Sequence, residues 1–284
     1  MGKLTIMEQF QRADEGGYAV PHFNFSDIWD LTAIIQAAEE MQSPVIVASN
    51  MKCASIHSPA VIAGMEKAMA ARASVPVYLH LDHSTTVEMC KDAVDAGYDT
   101  VMIDGSKLSL EENIAVTKAV ADYAHQHGST IVEGEIGKIK GNTEEAQYKN
   151  GDFLVQVPDA VALVEQSGVD FLAVGIGTAH GFYQGKPEIN FQRLAEVNDA
   201  LNLPLVLHGG TGIPEVDVRK AIANGINKVN VGTIIYHTNV TTIYKTLQER
   251  GDGIHTLDLM PESVKAIKEV VKGWIKVCMS EGKA

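Results

Sequence analysis

Apolar runs and amphipathic stretches alternate along this 284-residue chain, and the alternation repeats many times. Eight apolar runs read as strands: Tyr18–Phe25, Pro44–Ser49, Val75–His83, Thr100–Ser106, Ser129–Gly137, Phe171–Gly181, Leu203–Gly212 and Lys228–Thr233. Short continuous apolar runs bounded by Gly, Pro or polar residues are the pattern of strands buried on both faces. Between them lie segments of helical period. Asp30–Gln42 places Leu31, Ile34, Ile35 and Ala38 on one face, as an amphipathic helix does. Val87–Tyr98 and Leu110–Gly128 follow the third and fourth strands, and Gly128 stands where a helix-ending glycine belongs. Val157–Val169, Phe191–Asn202 and Glu215–Asn227 precede the sixth, seventh and eighth, and Glu269–Ala284 reads as a closing helix with a frayed tail.

Strands separated by helices form βαβ units with a parallel sheet. No Pro-, Ser- or Gly-rich linker and no charge block divides the chain, so the reading is one domain over residues 1–284. Eight units predict an α/β fold of the closed (β/α)8 barrel type, a TIM barrel. The runner-up, an open doubly wound sheet, lacks the GxGxxG expected after its first strand.

Composition narrows the functions. A formal net charge of -13 excludes a basic nucleic-acid footprint. The start of the chain has no apolar core of signal-peptide length, and no run reaches the span of a membrane. Three widely spaced cysteines form no CxxC pair, which argues for a reducing, cytoplasmic setting. Cys90 lies in a helical pattern and reads as a small buried hydrophobe.

In such barrels the reactive groups stand at the carboxyl ends of the strands. Here those ends carry Asn24, Ser49, Asp82, His83, Asp104, Glu133, Glu135, His180, His208, Asn230 and Thr233. His83, His180 and His208 come from strands three, six and seven, and a barrel brings them to one mouth. Three imidazoles facing one point with an open fourth position are how a catalytic zinc ion is held. Asp82 neighbours His83 but points the other way along a regular strand, as a partner orienting a ligand or as an acid–base group. Glu133 and Glu135 share a face of strand five, an arrangement that is costly unless a metal or a lysine answers them. Asp104 reads equally as an orienter of a ligand or as a structural hydrogen bonder. The stretches AHGFYQGKP, HGGTGIP and VNVGT offer backbone N–H groups and the hydroxyls of Thr211 and Thr233 to a phosphate. His125, His127 and His237 read as solvent-facing or capping residues.

These stretches, with YAVPHFNF, HLDHS, VMIDGS, VEGEIG and INKVNVGT, resemble the signatures of the class II, zinc-dependent ketose-bisphosphate aldolases from Tyr18 to Thr233. The resemblance implies a (β/α)8 barrel, a homodimer or homotetramer, and reversible cleavage of a ketose phosphate to dihydroxyacetone phosphate and an aldehyde. It implies one zinc ion per subunit on His83, His180 and His208, with Glu135 and Asp104 beside the metal and a monovalent cation in attendance. It implies that Asp82 exchanges the proton of the C4 hydroxyl. Asn24, Ser49, Gly181, Gly209, Thr211, Asn230 and Thr233 would bind the substrate, with Asn230 at the enediolate.

The chain also departs from the family pattern. Thr211 replaces the usual serine of HGGSG, Ile234 stands where an acidic residue usually follows NxxT, and the loop after strand five reads KGNTEEAQ. In that loop Glu144 or Glu145 is the candidate for protonating carbon. The DPR-type segment near the C-terminus, whose arginine meets the distal phosphate, is missing, and no arginine follows Arg250. The expectation is therefore a ketose 1-phosphate whose far end is not a phosphate, or one recognised by Lys52 or His22. Two competing readings use the same barrel. One is a non-catalytic sugar-phosphate-binding subunit, which would be expected to lose ligands that this chain retains. The other is a metal-dependent isomerase or epimerase, which would give an isomer rather than a triose phosphate.

Overall fold

A computed structural model describes residues 4–137, 153–183 and 185–284. Eight strands close into a parallel barrel in sequence order: β1 (Val20–Asn24), β2 (Val45–Asn50), β3 (Val77–Ser84), β4 (Thr100–Ile103), β5 (Ile131–Ile136), β6 (Phe171–Val174), β7 (Leu205–Leu207) and β8 (Ile226–Val231). The predicted fold and all eight strands are found. Most strands end earlier than the apolar pattern suggested, because the last residues of each run already belong to the loop that carries the site. His180 and His208 thus lie just past β6 and β7 rather than on them.

Around the barrel run α1 (Ile6–Gly16), α2 (Ile28–Met41), α3 (Met51–His57), α4 (Pro59–Ala70), α5 (Val87–Ala96), α6 (Leu110–His127), α7 (Val157–Ser167), α8 (Phe191–Ala200), α9 (Glu215–Ile222), α10 (Thr233–Arg250) and α11 (Thr256–Val277). The periodicity marks α2 and α5 to α9 but not α1, α3, α4 or α10. Helix α10 is rich in Thr, Ile and Val, residues of modest helix propensity. Helix α11 starts thirteen residues before the predicted Glu269, at Thr256. The frayed tail is corrected: Gly282 and Ala284 donate backbone hydrogen bonds to Met41 and Gln42, and the buried Ser280 bonds Ser43.

Alternation along the strands divides the core. Outward residues such as Phe23, Val47, Leu79, Val101, Leu172 and Val229 pack under the helices. Inward residues near the strand starts, among them Val20, Ile46, Tyr78, Phe171 and Val206, form an apolar floor that Ile6 and Phe10 of α1 plug from below. Above this floor the interior turns polar: His22, His80, Thr100, Glu133 and Lys228 are all buried. Cys90 is buried as expected. Among the described residues no helix is long and apolar enough to cross a membrane.

Candidate active site at the carboxyl mouth of the barrel

Adjacent residues of a regular strand face opposite ways. Asp82 and His83 break this rule. The pairing of β3 with β4 slips between Leu81 and Ser84, and His83 takes a left-handed backbone, φ +49°. Such a bulge re-aims a side chain, and both residues line the same cleft. This corrects the expectation that Asp82 points away from His83. The left-handed conformation strains a residue with a Cβ, and strain of this kind collects at functional sites.

His83 Nδ1 donates to Asp104 Oδ2 at 3.2 Å, while Asp104 Oδ1 accepts from the backbone and hydroxyl of Ser106. That leaves His83 Nε2 toward the mouth, 2.9 Å from His208 Nδ1. His208 Nε2 donates to Glu133 Oε1 at 2.7 Å, and the Lys228 ammonium holds Glu133 Oε2 at 2.6 Å. Lys228 is therefore the lysine that answers the first strand-five carboxylate. Its signal was legible, since it sits two residues before Asn230 and so on the same inward face. His180 completes the trio, its ring centroid 4.7 Å from His83 and 6.1 Å from His208. Tyr183, which sequence reasoning missed, fixes the His180 loop. Its hydroxyl accepts from Ala179 N at 2.9 Å and donates to Gly209 O at 3.1 Å, tying the loop after β6 to the loop after β7.

The donor atoms of His83, His180 and His208 lie within 4.8 Å of one another, and those of His83, Asp104 and Glu135 form an overlapping set. Nitrogens bound to one tetrahedral zinc ion sit roughly 3.3 Å apart, so the residues present fit a metal. The charge fits as well. Burial pulls His83 down, yet Asp82, its bond to Asp104 and Glu135 outweigh burial and hold it up at about 10. The same acidic surroundings favour a divalent cation over three imidazoles. Glu135 Oε2 is buried without a hydrogen bond, 3.7 Å from His83 Nδ1. Burial, with Asp104 adding to it, pushes the Glu135 carboxyl well up. His180 is pushed down to about 3 by burial and by the other two histidines.

Asp82 accepts from Asn24 Nδ2 at 2.8 Å and from Asn230 Nδ2 at 3.4 Å. Burial opposes its charge, but the surrounding histidines, His83 foremost, overcome it and hold Asp82 well below the usual carboxylate range. Beside it the cleft, of about 240 Å3, is floored by glycines and hydroxyls: Gly181, Gly209, Gly210, Thr211, Gly232 and Thr233. Gly209 has φ +68°, and a Cβ there would stand 2.2 Å from Ala179 O, so only glycine lets the two loops approach. Helix α10 begins at this floor with no capping side chain at Gly232; Ile234 N already donates to Thr211 Oγ1 and Ile235 N to Gly232 O, so the helix start offers an anion its Thr233 N–H and the positive end of the helix.

Several expected residues stand elsewhere. Ser49 does not reach the cleft: its hydroxyl bonds the Tyr98 hydroxyl at 2.9 Å in the outer layer, and the next residue, Asn50, lines the cleft instead. His22 is also corrected. It is sealed in the barrel interior, its ring 5.3 Å from that of His80 and both nitrogens without a hydrogen-bond partner, so it cannot meet the far end of a substrate. Lys52 is exposed on α3 and does not line the cleft. Glu144 and Glu145 lie outside the described residues. His125, His127 and His237 are exposed, as expected.

Fold and mouth together define a (β/α)8 barrel whose carboxyl end gathers side chains that could hold a metal ion. The description "Fructose-bisphosphate aldolase class-II" belongs to a family model that matches residues 4–283. The chain is 37% identical over 279 residues to the fructose-bisphosphate aldolase of Staphylococcus aureus, covering 97% of each. It is 37% identical over 287 residues to the 6-phospho-5-dehydro-2-deoxy-D-gluconate aldolase of Halalkalibacterium halodurans, covering 100% of this chain and 99% of that one. The crystal structure of the YdjI aldolase from Escherichia coli K12 matches with a TM-score of 0.86 at 35% identity over 98% of both chains. The chain belongs to the class-II fructose-bisphosphate aldolase family. It is an aldolase, a carbon–carbon lyase, and the expectation from the sequence holds at that level.

Proposed function

We propose that this enzyme reversibly cleaves the C3–C4 bond of a ketose 1-phosphate or 1,6-bisphosphate, giving dihydroxyacetone phosphate and an aldehyde, with one zinc ion per subunit on His83, His180 and His208. The observation that carries the reading is the placement of Asp82: an ionised, doubly clamped carboxylate in the same cleft as the histidine trio. Bound zinc supplies Lewis acidity for the negative charge that cleavage leaves on the ketone oxygen.

The residues divide the remaining work. Asp82 takes the C4 hydroxyl proton as the bond breaks and returns it in the reverse direction. Asn24 and Asn230 hold its carboxylate in place, and the amide of Asn230, lining the same cleft, would donate an N–H to the enediolate. Gly181, Gly209, Thr211, Thr233 and the uncapped start of α10 cradle the phosphate. Thr211 keeps a hydroxyl where relatives of the pattern have serine, and it accepts from Ile234 N at 3.3 Å. Glu135 and Asp104 flank the metal, Asp104 through His83. Proton transfer at carbon falls to Glu144 or Glu145 in the segment after β5. A monovalent cation beside the site, a homodimer or homotetramer, and a cytoplasmic setting complete the proposal.

Release of dihydroxyacetone phosphate from a panel of ketose phosphates, with and without EDTA, tests it. The expected outcome is release that EDTA abolishes and Zn2+ restores. Release indifferent to EDTA, or an isomer in place of a triose phosphate, overturns it.

A further inference from the structure

We infer that Asn50 and Tyr236 form the part of the cleft that meets the aldehyde half of the substrate, and that they select an uncharged, hydroxyl-bearing end over a phosphate. The inference deepens the aldolase reading and rests on it.

Once the metal ligands, the Asp82 clamp and the glycine–threonine floor have their tasks, Asn50 and Tyr236 are the lining residues left. Their position is beside the reacting carbon. Asn50 is the register partner of Asp82 across β2 and β3, so the two side chains share the inward face. Its Oδ1 is committed to capping α3 through Cys53 N at 2.9 Å, which fixes the amide and leaves Nδ2 as the free end. That Nδ2 donates to the Tyr236 hydroxyl at 3.3 Å. The hydroxyl has thus accepted one bond, and among the described residues its proton has no acceptor. Burial, reinforced by the nearby Asp82 charge, keeps Tyr236 well above the usual phenol range, so it stays a neutral donor. A neutral donor and an amide, fixed by each other, match a sugar hydroxyl.

They do not match a second phosphate. No lysine or arginine lines the cleft among the described residues. Arg250, the last arginine, is at the far end of α10, about 25 Å of helix from the cleft, and is paired with Glu262 at 2.9 Å. A dianion brought to this end would meet the buried charge of Asp82 with no lysine or arginine among the described lining residues to answer it, and burying an unpaired charge is costly.

The test compares kcat/KM for a ketose 1-phosphate with a hydroxyl end and for the corresponding 1,6-bisphosphate, in the metal-loaded enzyme and in Tyr236→Phe and Asn50→Ser. Phenylalanine keeps the ring, and serine keeps a capping oxygen for α3. The wild type is expected to favour the hydroxyl-ended substrate by at least about tenfold. Each variant is expected to lower kcat/KM for that substrate by about tenfold, the loss that follows when a buried polar group is left unmet. The same variants are expected to lower it for the bisphosphate by less than about threefold, so that the preference collapses. A wild type that favours the bisphosphate, or variants that slow both substrates alike, overturns the inference and leaves the aldolase reading standing. No EDTA-sensitive release from either substrate overturns both.

Discussion

At the scale of the residue, the barrel interior is unusual in burying two imidazoles with so few partners. His80 Nδ1 meets the Thr100 hydroxyl at 2.6 Å, but His80 Nε2 and both nitrogens of His22 have no hydrogen bond. Burial, with the Lys228 ammonium next, holds both rings well below their ordinary value against the opposing pull of Asp82. They are neutral when folded and take up protons when unfolded. Their contribution to stability is therefore fully present above about pH 6.5 and is lost as pH falls below it, because there the unfolded chain binds more protons. His22 contributes to that loss as pH falls through about 6.5, from about pH 7.5 to 5.5. His83, held up at about 10, acts in the opposite direction over this window, so the test is the difference: in urea unfolding of metal-free protein at the two pH values, His22→Leu is expected to lose less stability on acidification than the wild type. An equal pH dependence in the variant refutes the account. The same layer holds what the sequence made only half legible. That Glu133 and Glu135 share an inward face followed from alternation; that Lys228 takes one of them and His83 the other depended on which strands sit across the barrel.

At the scale of the element, loops after β6, β7 and β8 form the floor of the cleft by touching one another through glycines. Gly232 is the tightest link to the chemistry. A Cβ there would stand 2.6 Å from Asn24 Oδ1, and Asn24 is the residue that clamps Asp82. Gly232→Ala is expected to push Asn24 aside and lower kcat by at least about tenfold, since small displacements of a reacting group are costly. Steady-state rates at saturating substrate check this; an unaltered kcat means that Asn24 is not needed to hold Asp82. The strands and most helices were legible because a buried parallel strand is an uninterrupted apolar run and a covering helix has a stripe. Helix α10 was not, because its Thr-rich face is split between the cleft, α11 and solvent. The bulge at His83 was not legible either: nothing in HLDHS distinguishes a regular strand from one with an extra residue.

At the scale of the whole molecule, the barrel separates its tasks along the axis. The amino half is filled with apolar side chains and plugged by α1, while the carboxyl half gathers Asp82, Asp104, Glu133 and Glu135 around a few histidines and Lys228. Such a mouth is short of positive charge, so binding of the proposed zinc ion is expected to be coupled to folding. Removing metal with EDTA is expected to lower the melting temperature, and each tenfold rise in free Zn2+ above its Kd is expected to return about 1.4 kcal/mol of stability. Differential scanning calorimetry across a zinc titration reads this directly, and a melting temperature indifferent to zinc excludes the coupling. The mouth was legible from sequence only through the fold: the three histidines are too far apart in the chain for a local motif, and closure of eight strands is what makes them neighbours.

The slipped pairing on β3 has a consequence for motion. Asp82 and His83, proposed above as proton carrier and metal ligand, are joined by a single peptide bond. The glycines and hydroxyls of the cleft floor, in contrast, are drawn from three separate loops, after β6, β7 and β8. Planar covalent geometry fixes the distance between the Asp82 and His83 backbones, whereas the loops of the floor have no such tie to one another. One strand therefore carries both the proposed proton carrier and a proposed metal ligand, and any shift of that strand moves the two together.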